Sequence, residues 1–243
     1  MRRAVIVLVL VAAAVAVLDS LYERGWVRFN YPSRERFPVR GIDVSHHQGA
    51  VDWSAVRGAG VEFAFIKASE GADHRDREFA RNWRHAQEAG VARGAYHFFT
   101  FCSPGLAQAE NFIAAVGGSF GELPPVADVE FSGNCRQWES IEKIRSELSV
   151  FLATVEVEAK RRPILYFTAD ARERILAGHF DAFPSWPRNL FREPSSRSGP
   201  WLFWQFAHNG RIPGVRTLVD LNVFRGQRAE FEAVVRAAPA PGA

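Results

Sequence analysis

From Val39 onward, short apolar runs alternate with amphipathic runs about every 20 to 40 residues. This alternation is typical of repeated β-α units and predicts a mostly parallel sheet covered by helices. Eight apolar runs share about 190 residues, which is a tight fit for a β/α barrel of about 250 residues. We therefore predict an α/β fold, a shortened, irregular β/α (TIM-like) barrel with eight strands and fewer helices, whose last strands are partly antiparallel. The predicted strands cover residues 39–44, 61–68, 92–101, 123–131, 163–168, 183–190, 201–206 and 218–224.

The fourth predicted strand ends in two carboxylates that are two residues apart, Asp128 and Glu130. Side chains alternate along a strand, so these two acids lie on one face. A carboxylate in an apolar setting is costly unless it is paired or takes up a proton. Such a pair therefore usually serves general acid/base chemistry or metal binding. The structural alternative is that one acid caps the following helix and the other pairs with an arginine.

Polar residues also follow the other predicted strands, and in a parallel barrel these strand ends meet at one mouth. Carboxylates, aromatic rings and amides together indicate a carbohydrate site, because sugars stack on rings and paired carboxylates cleave glycosidic bonds. Other roles stay open, such as a rim ion pair between Lys67 and Glu70 and core packing for the aromatic residues. The candidate site residues are Asp43, Lys67, Glu70, Tyr96, His97, Asp128, Glu130, Tyr166, Trp204, Gln205, Asp220 and Asn222.

Residues 1–22 hold two arginines followed by fifteen uncharged apolar residues. Such a segment predicts export of the following domain, either as a cleaved signal peptide or as an uncleaved N-terminal membrane anchor. As a helix, the run spans only about 23 Å against about 30 Å for a membrane core, so both alternatives stay open. We expect residues 23–38 to be a linker, 39–237 the barrel and 238–243 a disordered tail.

The chain contains two cysteines, Cys102 and Cys135, each a few residues past a predicted strand end. Outside the cytoplasm two thiols tend to be oxidised, which predicts a disulfide between two loops; two free thiols are the alternative. Of the 30 basic and 27 acidic residues, seven basic and three acidic ones precede Gly41, so the barrel is nearly neutral. That balance gives no support for a nucleic-acid partner, and we expect a monomer.

Six motifs occur in the order found in the glycoside hydrolase family 25 muramidases (lysozymes), which the chain resembles from about Val39 to Gly226. Any one of these motifs alone is weak evidence, whereas six in order are specific. They are 41–49 (GIDVSHHQG), 65–71 (FIKASEG), 94–98 (GAYHF), 128–130 (DVE), 204–206 (WQF) and 219–222 (VDLN).

The resemblance implies a hydrolase that cleaves the β-1,4 bond between N-acetylmuramic acid and N-acetylglucosamine in peptidoglycan, with no cofactor or metal. It implies Glu130 as general acid/base. Asp128 would orient or charge-stabilise the substrate N-acetyl group, whose carbonyl is a candidate internal nucleophile. Asp43 and Asp220 would line the same cleft. A second carboxylate nearby raises the pKa of an acid, which suits a proton donor near neutral pH.

The sixth predicted strand departs from this family, because 184–190 (PSWPRNL) lacks a Trp-x-Ala-x-Tyr pattern. The family pattern therefore does not assign the residues of this wall of the cleft. Arg188 there is a candidate contact for a peptide-stem carboxylate.

Two other functions stay open. One is a metal-dependent barrel hydrolase that uses His46, His47, His97 and Asp128, and the other is a glycan-binding barrel without turnover. The expected partners are peptidoglycan glycan strands, and also the membrane if the N-terminal segment is uncleaved. The expected location is periplasmic, extracellular or on the outer face of the inner membrane.

Overall fold

The structure, a computed structural model, describes residues 2–195 and 199–237. The predicted tail, 238–243, lies outside these residues. A π-helical turn, Arg172–Leu176, follows the short helix Ala169–Ala171. The strands are β1 (Arg40–Val44), β2 (Phe63–Glu70), β3 (His74–Arg75), β4 (Ala92–Phe98), β5 (Val126–Val129), β6 (Ile164–Phe167), β7 (Ser185–Pro187), β8 (Phe203–Gly210) and β9 (Val219–Phe224). The helices are α1 (Arg2–Glu23), α2 (Trp53–Gly58), α3 (Phe79–Glu88), α4 (Gly105–Val116), α5 (Ile141–Ala159), α6 (Ala169–Ala171) and α7 (Arg228–Arg236).

The strands form one mixed sheet in the order β7-β6-β5-β4-β2-β1-β9-β8, with β3 paired to β2. From β7 to β1 in this order the neighbours are parallel, whereas β9 is antiparallel to both β1 and β8. Two isolated bridges, Ser185 to Trp201 and Arg188 to Gln205, join the β7 edge to the β8 edge and nearly close the barrel. The predicted irregular barrel and its antiparallel last strands are confirmed.

Apolar side chains pack on both faces of the sheet. Inside the barrel, towards the amino ends of the strands, aromatic rings fill the space; Phe65 stacks on Trp186 with 4.4 Å between ring centroids. Outside, a larger cluster joins the sheet to α3, α4 and α5. Because the barrel interior is filled, the polar residues at the carboxyl ends of the strands form a cleft above a packed floor.

The segment 24–38, which is most of the predicted linker 23–38, packs against the barrel. Phe37 is buried, and its ring lies 6.0 Å from Trp201 and 5.9 Å from Trp204 between centroids. Asn209 Nδ2, on β8, donates to the carbonyl oxygens of Tyr22 at 2.7 Å and Val27 at 3.0 Å. Both ends of the segment are therefore held by the barrel.

Helix α1 extends away from this packed body. It is apolar and long enough to cross a membrane, and no residue of its most apolar stretch is buried in the protein. A signal sequence has the same properties, so the helix fits export or a signal sequence.

Candidate active site

A cleft of about 420 Å³ opens at the carboxyl ends of β1, β2, β4 and β5, next to the start of β9. Parallel strands bring their carboxyl ends to one edge, which is why residues distant in sequence meet there. Besides Glu70, four carboxylates lie in its wall: Asp43, Asp128, Glu130 and Asp220. The other lining residues are Val44, Ser45, His47, Gln48, Lys67, Glu70, Tyr96, Phe98, Ser132 and Gly133.

Asp43 and Asp220 face each other across the antiparallel pair of β1 and β9. Asp43 Oδ2 accepts hydrogen bonds from Asn222 Nδ2 at 2.7 Å and Gln205 Nε2 at 3.1 Å. Burial raises the pKa of Asp220 well above its ordinary value, and the charge of Asp43 raises it further. Burial also raises the pKa of Asp43, but the amide hydrogen bonds oppose that rise. The interaction between the two carboxyl groups also raises the pKa of Asp220 and lowers that of Asp43, so a proton shared by the pair favours Asp220.

Asp128 and Glu130 extend from β5 on one side of the sheet, as alternation predicts. The pKa of Glu130 is raised to about 7. Burial is the main cause; the charge of Arg188 opposes the rise, and the charge of Asp43 adds to it. Burial, then the Glu130 charge, raises the pKa of Asp128 well above its ordinary value. Asp128 is 8% exposed, and its Oδ1 has no hydrogen-bond partner among the described residues. The two acids together hold at least one proton near neutral pH.

The loop after Glu130 is fixed by Asn134. Its Nδ2 donates to the carbonyl oxygens of Glu130 and Phe99, each at 2.9 Å, and its Oδ1 accepts from Phe101 N at 2.9 Å. Beside it, a disulfide joins Cys102, after β4, to Cys135, after β5. The predicted disulfide is confirmed, and these contacts position the backbone that carries Glu130.

Lys67 and Glu70, at the end of β2, form an ion pair at one side of the cleft, with 2.7 Å between Nζ and Oε2. Lys67 Nζ also lies 5.0 Å from the centroid of the Phe98 ring. Both residues line the cavity, so the ion pair predicted as an alternative is present within the cleft wall.

Four carboxylates at the strand ends of a short barrel agree with the family that the motifs resemble. The model of the glycosyl hydrolases family 25 matches residues 42–215. The chain belongs to this family.

Solved and curated relatives agree with the assignment to family 25. Lysozyme M1 of Streptomyces globisporus is 37% identical over 208 residues, which are 81% of this chain and 71% of that protein. The structure of a family 25 glycosyl hydrolase from Bacillus anthracis matches with a TM-score of 0.79 and 36% identity, covering 85% of this chain and 97% of that one. The bacterial lysozyme from Streptomyces coelicolor matches with a TM-score of 0.73 and 36% identity, covering 81% and 96%.

In this family 25 barrel, three predicted substrate-binding residues lie behind the carboxylates. Gln205 and Asn222 both donate to Asp43. Tyr166 Oη donates to Gln205 Oε1 at 2.9 Å. The geometry places Gln205, Asn222 and Tyr166 where they orient Asp43 from below, whereas Tyr96, Lys67 and Glu70 line the cavity itself.

The structure corrects the expected placement of His97 and Trp204 at the mouth. Neighbouring residues of a strand face opposite sides, so His97 faces away from Tyr96 and Trp204 away from Gln205. His97 is fully buried against the helices, with Nδ1 2.8 Å from Ser69 Oγ and Nε2 3.2 Å from Gln108 Oε1. Trp204 Nε1 donates to Asn189 O at 2.8 Å within the outer core.

The residues named for the metal-dependent alternative are divided: His47 lines the cleft with Asp128, whereas His46 and His97 have other partners. His46 binds Asp76, whose Oδ2 accepts from His46 N at 2.8 Å and lies 2.9 Å from Nδ1. His97 lies on the opposite side of the sheet from Asp128. Within the described ranges, no three His, Cys, Asp or Glu residues are grouped to hold a metal ion.

The predicted sixth strand, 183–190, is present as β7, but Trp186 was not among the candidate site residues, because Pro184 and Pro187 weaken the strand signal. Trp186 Nε1 donates to Asn222 Oδ1 at 2.8 Å and so supports the Asp43 network. Arg188 places a positive charge near the cleft that lowers the pKa of Glu130. Trp186 and Arg188 are two residues apart, so alternation along the strand places both side chains on the inward face. This spacing was the available sequence signal.

Proposed function

We infer that this family 25 chain is a muramidase that hydrolyses the β-1,4 bond between N-acetylmuramic acid and N-acetylglucosamine in bacterial peptidoglycan. The observation that carries the proposal is Glu130, whose pKa burial raises to about 7, in a cleft that also holds Asp43, Asp128 and Asp220. A carboxyl group with that pKa can both donate and accept a proton near neutral pH. Membership of family 25 and the lysozyme relative support the same reaction.

In the proposed reaction, Glu130 gives its proton to the glycosidic oxygen as the bond to the anomeric carbon breaks. The Glu130 carboxylate then takes a proton from the water that completes hydrolysis, which restores the acid for the next turnover. The loop held by Asn134 and the disulfide keeps this carboxyl in place.

Asp128 is suited to bind the N-acetyl group next to the scissile bond. Asp128 lines the cleft beside Glu130, where its carboxylate can accept a hydrogen bond from the substrate amide N–H. An acetyl group held there directs its carbonyl oxygen towards the anomeric carbon, which suits attack by that oxygen as an internal nucleophile.

Asp43 supplies a fixed negative charge on the other side of the cleft. It is the ionised member of its pair with Asp220, because Asn222 and Gln205 both donate to it. A carboxylate in that position stabilises the positive charge that develops on the sugar ring in the transition state.

The proposed location is outside the cytoplasm, as periplasmic, extracellular or bound to the outer face of the inner membrane through α1. The disulfide between Cys102 and Cys135 suits an oxidising compartment. The proposed working form is a monomer whose macromolecular substrate is the glycan strand.

Mass spectrometry of purified peptidoglycan digested with the full chain tests this function. Products that end in reducing muramic acid are expected, with none from Glu130→Gln and normal yield from Glu110→Gln, a matched change at an exposed position of α4. Products that end in reducing N-acetylglucosamine would instead indicate a glucosaminidase. Glycan binding without any product would indicate a non-catalytic barrel.

A further inference from the structure

A second charged cavity lies on the outer face of the barrel, where β1 and β9 meet the segment 24–38. It holds about 240 Å³ and is called the arginine pocket here. Its walls carry four guanidinium groups, and none of its described lining residues is Asp or Glu. The four arginines are Arg28, Arg34, Arg40 and Arg211.

The positive charge of the arginine pocket has no counter-charge in the described protein. Across residues 2–195 and 199–237, none of the four arginines forms an ion pair with a carboxylate. The Nε atoms of Arg28 and Arg40 are shielded from solvent and have no hydrogen-bond partner there. Burial, and then the charge of Arg34, lowers the pKa of Arg40 to about 10, so the group stays charged at neutral pH. An anion in the pocket would neutralise the charge of the four arginines.

Contacts with the protein hold three of the four guanidinium groups in place before any ligand binds. Arg40 Nη2 donates to Pro32 O at 2.5 Å, and Arg211 Nε donates to Arg24 O at 2.6 Å. The Arg28 guanidinium lies 4.8 Å from the centroid of the Tyr31 ring. Fixed arginines that offer paired N–H donors match the oxygens of a phosphate group.

The arginine pocket adjoins the end of the apolar helix α1. Helix α1 ends at Glu23, and Arg211, in the pocket wall, binds the next residue of the chain, Arg24. Three large aromatic residues follow the helix and are exposed by 64%, 58% and 59%: Trp26, Phe29 and Tyr31. Aromatic residues next to an apolar helix are typical of the membrane–water interface. A membrane crossed by α1 would therefore have its head groups at the level of the pocket.

We propose that the arginine pocket binds the phosphodiester of an anionic phospholipid head group when α1 is retained in the membrane. The pocket would then fix the orientation of the barrel on the membrane surface, in addition to the tether that α1 supplies. This inference goes beyond the hydrolytic function and does not involve the cleft acids.

Native mass spectrometry of the full chain in a neutral detergent, titrated with phosphatidylglycerol or with zwitterionic phosphatidylcholine, tests the proposal. The test variant is Arg34→Gln/Arg211→Gln, which changes two exposed side chains of the pocket. The matched control, Arg36→Gln/Arg57→Gln, removes the same charge at exposed positions outside the pocket. We expect phosphatidylglycerol to bind in preference to phosphatidylcholine, with affinity falling about fivefold for each pocket arginine removed and unchanged in the control.

Equal binding of the two lipids, or equal losses in the pocket variant and the control, would overturn the proposal. Inorganic phosphate distinguishes a lipid site from a site for free phosphate. If phosphate at the same concentration as the lipid displaces it completely, the pocket is a free-phosphate site and the lipid assignment is wrong. A lipid adduct that persists under that competition supports the head-group site. Thermal melting of each variant checks that it is folded.

Discussion

The cleft gathers Asp43, Asp128, Glu130 and Asp220, and the arginine pocket gathers four guanidinium groups on the outer face of the same barrel. Burial disfavours charge in both places, but the two sets of groups respond differently. In the cleft, burial raises the pKa values of Asp128, Glu130 and Asp220, so protons neutralise part of the charge. An arginine cannot lose its proton near neutral pH, so the arginines of the pocket stay charged and only a bound anion can neutralise them.

This difference explains why one cluster suits catalysis and the other suits binding. Carboxyl groups that share protons near neutral pH can transfer them to a substrate. Guanidinium groups with a fixed charge cannot transfer protons in that range, but they hold an anion firmly. The two regions also differ in construction, since the cleft lies at strand ends and the pocket lies between a sheet face and an irregular segment.

The largest expected effect comes from Glu130→Gln, which removes the proton that the cleft retains. We expect the rate of peptidoglycan hydrolysis to fall by about 10²- to 10⁴-fold, the usual contribution of a general acid/base. The wild-type carboxyl has a folded-state pKa near 7, above its ordinary value of 4.5. The folded state therefore binds the proton more tightly than the unfolded state, and the free energy of unfolding falls as pH rises from 4.5 to 7. The Gln variant should therefore be more stable than wild type at pH 8 and equal to it at pH 4. An inactive variant that is less stable at pH 8 would point to misfolding.

A smaller effect separates the two members of the Asp43–Asp220 pair. Asp43→Asn removes the anion that accepts hydrogen bonds from Asn222, Gln205 and Asp220, so we expect a loss of kcat of about 100-fold. Asp220→Asn replaces a neutral acid with a neutral amide that still donates to Asp43, so the loss should be within about tenfold. Steady-state kinetics on soluble glycan fragments measures both. The reverse order of effects would show that Asp220, not Asp43, carries the negative charge.

Arg188→Gln is expected to move the pH profile rather than abolish activity. The charge of Arg188 lowers the pKa of Glu130, so its removal should shift the alkaline limb of kcat/KM to higher pH, by less than about one unit. Arg192→Gln, an exposed change beyond β7, is the control and should leave the limb in place. A shift to lower pH would contradict the assigned interaction.

The smallest expected effect is the change in the stability of the fold when one charge of the arginine pocket is removed. Arg34→Gln removes one of the repelling charges, so it should stabilise the fold by about 0.5 kcal/mol or less at low salt. Salt screens this repulsion, so the gain should vanish at about 1 M salt. Denaturant unfolding at both salt concentrations measures it, with Arg57→Gln as control. A loss of stability at low salt would mean that Arg34 is already neutralised.

The sequence allowed the barrel and the four carboxylates to be predicted because both depend on local patterns. Apolar runs mark the strands, and the residue type at each strand end marks the cleft. The errors at His97 and Trp204 came from placing adjacent residues, Tyr96 with His97 and Trp204 with Gln205, on one face. Strict alternation would have excluded one member of each pair.

Other features depend on tertiary contacts that no local pattern reports. Strand β7 is three residues long and contains Pro187, so its inward residues were hard to assign. The arginine pocket joins Arg28 to Arg211, which are far apart in sequence and lie on irregular backbone or at a strand end. The packing of segment 24–38 on β8 depends on Asn209, a single side chain.

The pH dependence of kcat/KM for peptidoglycan fragments reports the protonation of Glu130 in the free enzyme, and so tests its assignment as the proton donor. Activity should be high below the Glu130 pKa and should fall as pH rises through about 7, since the donor must hold its proton. The falling limb should also move upward in Arg188→Gln. A profile that stays flat from pH 6 to about pH 9 would contradict Glu130 as the buried acid that protonates the glycosidic oxygen.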